Sequence, residues 1–71
     1  MPSIPGVAHR RAVAALIRAG FVLERKDRKN IVMTDGTRTV TIPRHNPINA
    51  YTMGGIVADA GLTVEGFKKL L

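Results

Sequence analysis

Between two runs rich in β-branched residues, Ile31-Val32-Met33-Thr34 and Thr39-Val40-Thr41-Ile42, stands Asp35-Gly36. Asp-Gly flanked by strand-like runs is a strong hairpin signal, because both residues tolerate the left-handed backbone that a tight turn requires. This feature constrains the fold more than any other. It makes residues 30–34 and the run ending at Ile42 neighbouring antiparallel strands. Pro43 closes the later strand, since it has no N–H to give to a ladder. Upstream, Phe21-Val22-Leu23-Glu24 reads as a further strand, the first of three.

Helical spacing flanks this sheet. Val13, Leu16, Ile17 and Gly20 fall at i, i+3, i+4 and i+7, which predicts an amphipathic helix over about 8–19. Pro5-Gly6 breaks the chain before it, and Gly20 suits its C′ position. Val7-Ala8 offers no Ser, Thr, Asp or Asn as an N-cap, so this start is expected to fray. After the loop RHNPINAY, Met53, Ile56, Val57 and Ala60 repeat the same stripe, and Gly61 ends it. Gly54-Gly55 inside that helix costs about 1 kcal/mol per glycine relative to alanine. It signals either close backbone packing or a loosely formed helix. Thr63 can cap a last short helix, with Glu65 in its first turn, Lys68-Lys69 in its last, and Val64, Phe67 and Leu71 inside. The order is helix, three antiparallel strands, helix, short helix. That is a two-layer α+β domain covering residues 1–71, with the helices on one face of the sheet.

Size and composition limit the function. At 71 residues, without cysteine, the chain has neither disulfides nor thiolate metal sites, and its two histidines leave a closed zinc site short of ligands. Nothing implies a cofactor, and no Gly-rich phosphate loop is present. No apolar run approaches the ~20 residues of a membrane span, and no signal peptide is evident, so a cytoplasmic location is expected. The net charge of +6 points to a polyanion, most simply RNA. Arg25, Lys26, Arg28, Lys29, Arg38 and Arg44 supply six of the eleven cations within twenty positions, which marks them as the RNA-binding set.

The element order is that of a double-stranded-RNA-binding domain, a class that reads RNA through phosphates and 2′-hydroxyls. Particular residues add to it. AGF at 19–21, IVMTDGTRTVTIPRHNPINAYTMGGI at 31–56 and DAGLTVEGFKKLL at 59–71 resemble the HicA (YcfA-like) toxins of bacterial toxin–antitoxin pairs, and IPGV at 4–7 fits the start of that family. The resemblance implies a double-stranded-RNA-binding-like fold and a small, metal-independent endoribonuclease that cuts mRNA. It also implies a HicB-like antitoxin as protein partner. The family's catalytic histidine, usually written G-x-H, stands just before an apolar β run like Ile31-Val32-Met33. Here that position is Asn30, and the small residue expected before it is replaced by Arg28 or Asp27.

That departure falls on the residue the chemistry most needs. Metal-free RNA cleavage requires deprotonation of the 2′-hydroxyl, protonation of the leaving 5′-oxygen, or both. A histidine with a pKa of ~6.5 can do either at neutral pH, whereas an asparagine amide can only hydrogen-bond. General acid–base help is worth about 10² to 10⁴-fold, so the chain is expected to be an impaired nuclease, silenced by design or by divergence. The alternative is a basic RNA-binding module with no chemistry. His45, at the end of the third strand, is a secondary candidate for proton transfer, although it can equally order the loop before Pro47. His9 reads as a solvated residue, and Tyr51 as a core or staple residue that could instead stack on a base.

Overall fold

A computed structural model describes residues 6–71, so the Ile4-Pro5 part of the opening segment lies outside the described residues. The elements are α1 (His9–Arg18), β1 (Val22–Lys26), β2 (Asn30–Thr34), β3 (Thr39–Pro43), α2 (Ala50–Asp59) and α3 (Val64–Leu70). The strands form one antiparallel sheet in the order β1-β2-β3. Register in the β2–β3 hairpin runs from Asn30 opposite Pro43 to Thr34 opposite Thr39. The Asp-Gly signal therefore identifies the turn correctly, with Gly36 at φ 94° and the Asp35 N–H donating to the Arg38 carbonyl at 3.2 Å.

The core follows from strand alternation. Ile31 and Met33 of β2, with Val40 and Ile42 of β3, face the helices and join Leu16, Phe21, Ile48, Met53, Val57 and Phe67 in one buried cluster. Burying a side chain of this size is worth about 1.5–3 kcal/mol, so these residues hold the two layers together. Both α1 and α2 pack over β3, and α3 closes against both helices. Arg18 ties the far ends of the chain, donating to the Leu70 carbonyl at 2.6 Å.

Several expectations need correction. The first strand begins at Val22 rather than Phe21 and extends through Arg25 to Lys26, with all five residues exposed. Because the helices sit over β3, nothing covers β1. Leu23, which pairs with core Met33, is 56% exposed for this reason. Ile17 shares the cause: it lies on the expected stripe of α1 yet is 57% exposed, at the edge that overhangs no partner. Gly54 and Gly55 do not mark close packing, since a Cβ added to either would meet nothing within 4 Å.

The helix starts also differ from expectation. At α1, Val7 and Ile48 exchange two backbone hydrogen bonds, at 3.0 and 2.7 Å. Asn46, from the loop after β3, accepts the His9 N–H on its Oδ1 at 2.7 Å. The start of α1 is therefore held rather than frayed. Its cap comes from 37 positions away rather than from a neighbouring residue. The second helix begins at Ala50, capped by Asn49, whose Oδ1 accepts from the Thr52 N–H at 2.8 Å. Tyr51 thus lies in its first turn and is 93% exposed, so it is not a core residue. Thr63 caps α3 as expected, accepting from the Gly66 N–H at 3.0 Å.

Candidate nucleic-acid interface

The basic segment is split between a strand and a turn. Arg25 and Lys26 end β1, and Arg28 and Lys29 stand in the turn that leads to β2. Arg25 pairs with Val32 and Lys26 with Ile31, so alternation sends these two cations to opposite faces of the sheet. A bulge between Leu23 and Arg25 inserts Glu24 and resets the register there. The four cations therefore surround one end of the sheet instead of converging on a single turn.

Asp27 builds this turn. Its carboxylate accepts the Lys29 N–H at 2.9 Å and the Asn30 N–H at 2.8 Å, while its own N–H donates to the Asn30 carbonyl at 2.9 Å. An aspartate that bonds amides two and three residues on closes a turn without glycine. The Asn30 and Lys29 amides hold its carboxyl below the ordinary value of 3.8, and the Arg25 and Arg44 guanidinium groups act in the same direction. Arg44 extends the arrangement. Its N–H donates to the Lys29 carbonyl at 2.8 Å, and one Nη donates to the Asp27 carbonyl at 2.9 Å. That leaves its remaining donors to face solvent. Asp27 escaped the sequence reading among its basic neighbours, although an Asp at the head of a turn was the available signal.

Asn30 occupies the first position of β2, opposite Pro43, and is half-buried. Alternation puts it on the face of Val32, away from the helices, with Arg25 beside it. The same face carries exposed Thr39 and Thr41 on β3 and exposed Val22 on β1. Among the described residues, the Asn30 side-chain amide has no hydrogen-bond partner.

Arg38 does not join this group. It lies at the other end of the β2–β3 hairpin, separated from Asn30 by roughly 13 Å of strand. There it forms an ion pair with Asp35 at 3.7 Å. Its guanidinium also covers Gly61, where an added Cβ would come within 2.5 Å of Nε. Asp35 repeats the part of Asp27, accepting the Arg38 N–H at 2.7 Å and the Thr37 N–H at 2.9 Å, and these bonds lower its pKa. Arg38 thus serves the far turn. Arg25, Lys26, Arg28, Lys29 and Arg44 form no ion pair among the described residues.

Both histidines lie near the basic end. His45 is exposed, directly after Arg44. His9 is half-buried rather than solvated, and its Nδ1 is shut from water with no hydrogen-bond partner. It lines a shallow groove with Val13, Ile17 and Ile31. Among the described residues, no group of three or more His, Asp or Glu side chains is placed to hold a metal ion, and no helix is long and apolar enough to cross a membrane.

No protein-family model, no curated protein and no solved structure matches this chain. The likeness to the HicA toxins therefore rests on the quoted segments.

Proposed function

We propose that this chain binds RNA at the basic end of its sheet, as a HicA-like toxin domain with a double-stranded-RNA-binding-like arrangement whose catalytic seat is filled by Asn30. The observation that carries the reading is the placing of Arg25, Lys26, Arg28, Lys29 and Arg44 at one end of the sheet, with no carboxylate in an ion pair with them among the described residues. Exposed cations that are not locked in ion pairs attract phosphate and release its bound ions, which is the main source of affinity for a nucleic-acid backbone. Asp27 contributes by fixing the turn, so the cations meet the polyanion on a rigid support.

Asn30 stands at the mouth of β2, on the open face beside Arg25. A carboxamide there can hold a phosphate oxygen or a 2′-hydroxyl by hydrogen bonds, but it cannot exchange the proton. Lys29 and Arg28 stand close enough in sequence to offset charge that develops on the phosphate. The resemblance adds a HicB-like antitoxin. An acidic partner lying over Lys26 and Lys29 would exclude RNA from the same cations. RNA as target places the work in the cytoplasm.

Expression of the chain beside its Asn30→His variant in bacteria, with mapping of mRNA 5′ ends, tests the catalytic seat. Growth arrest and fragmented mRNA are expected from the histidine variant alone. If that variant grows normally and leaves mRNA intact, the seat is wrongly assigned. A second reading, a module that occupies RNA without cutting it, is favoured by the amide at position 30. It predicts binding with no gain of cleavage when the histidine is supplied.

A further inference from the structure

Tyr51 is the only tyrosine of the chain, which has no tryptophan. It is 93% exposed, more than any other large apolar side chain among the described residues. On α2 it lies opposite the Met53, Ile56 and Val57 stripe that enters the core, so its ring stands in solvent.

The course of α2 fixes the end of the molecule that Tyr51 occupies. Gly61, just beyond the C-terminal end of α2, lies against the Arg38 guanidinium at the far hairpin turn. Ten residues at about 1.5 Å each carry the helix roughly 15 Å back from there. Its first turn therefore stands at the end of the sheet where β3 leaves at Pro43 and the Arg44 N–H meets the Lys29 carbonyl. The chain between Arg44 and Tyr51 is pinned there. Asn46 holds the start of α1, Ile48 pairs with Val7, and Asn49 caps α2.

We propose that Tyr51 stacks on an unpaired base of an RNA single strand that passes around the basic end of the sheet. The proposal rests on the RNA-binding reading and narrows its ligand. Alternation sends Arg25 to the open face of the sheet and Lys26 to the helix side, where α2 carries Tyr51. A stiff duplex lies along one side of such an end, whereas a flexible single strand rounds it and meets cations on both faces. The bases of a single strand are also free to stack on an aromatic ring, while those of a duplex are already stacked on each other. Every base has a π-face, so this contact is tolerant of sequence, and it adds affinity without adding charge. The cations therefore set the salt dependence of binding, and Tyr51 adds an increment that salt leaves in place.

The test reads tyrosine emission, which in this chain comes from Tyr51 alone. The probes are a single-stranded RNA, an abasic ribose-phosphate strand of the same length, and an RNA duplex. The single-stranded RNA is expected to quench the emission, after correction for its absorbance, and the abasic strand to bind without quenching. Tyr51→Ala is expected to lose about tenfold in affinity for the single-stranded RNA and none for the abasic strand, with an unchanged salt slope. Tyr51→Phe keeps the ring and is expected to bind as the unaltered chain does. Thermal unfolding checks that both variants keep the fold. Single-stranded RNA bound without quenching, or bound equally well by Tyr51→Ala, overturns the stacking contact while the RNA-binding reading stands. A duplex that binds as tightly and quenches as strongly overturns the path around the sheet end. No binding of any strand even at low salt overturns both readings.

Discussion

Asp27 and Asp35 show how single residues shape both ends of this sheet. Each heads a hairpin turn, and each accepts the backbone N–H groups two and three residues on. These bonds favour the charged carboxylate, so both groups titrate below their ordinary value of 3.8 in the folded chain. A depressed carboxylate gives stability that is complete above the unfolded value and is lost as the pH falls through the folded one. Denaturant unfolding from about pH 5 down to about pH 2 should therefore show a loss of stability that sets in near and below 3.8. Asp27→Ala combined with Asp35→Ala should flatten that loss while lowering stability at neutral pH. An equally steep acid loss in the double variant would remove these two carboxylates as its cause. Asn30 is the other decisive residue: its place on the open face is set by the alternation of β2, and its chemistry by the amide.

At the scale of elements, α1 and α2 make contrasting predictions. The start of α1 depends on the Asn46 side chain, and removing a capping acceptor costs about 1 kcal/mol. Asn46→Ala should lower stability by about that amount, with hydrogen exchange quickened at the first turn of α1; unaltered exchange there would mean that the Val7–Ile48 bridge alone holds it. In α2, Gly55 is exposed and an added Cβ meets nothing, so Gly55→Ala should raise stability by about 0.5–1 kcal/mol. A destabilised variant would show that the helix is not regular at that point. All six elements were legible in the sequence because each carries its own local signal, such as Asp35-Gly36 for the hairpin or the Met53, Ile56, Val57 stripe for α2. What escaped was non-local. Asn46 caps a helix 37 positions away, and Ile17 and Leu23 keep the pattern of buried residues although the helices, placed over β3, leave them uncovered. The basic set was legible by charge alone. Its division came from two facts that a count of cations does not contain, the pleat that separates Arg25 from Lys26 and the distance that separates Arg38 from both.

At the scale of the whole molecule, five of the eleven cations behind the net charge of +6 stand at one open end of the sheet. The helices bury the inner face of β2 and β3, the Asp turns fix both ends, and five cations at one end are left for a polyanion. Arg38, tied to Asp35 and lying against Gly61, belongs to the scaffold. This division is the central claim of the proposed RNA-binding role: the five cations at that end are proposed to bind, and Arg38, paired with Asp35, is not. The most direct test is the affinity for a fluorescent RNA measured over a salt series. With five contacts, log K should fall against log salt with a slope near −3.5, taking about 0.7 per phosphate for a single strand. Lys29→Ala should reduce that slope by about one, whereas Arg38→Ala should leave it unchanged after any loss of stability is allowed for. An affinity indifferent to salt, or a slope that Arg38→Ala lowers as much as Lys29→Ala does, would contradict the assignment of the basic end as the RNA-binding surface.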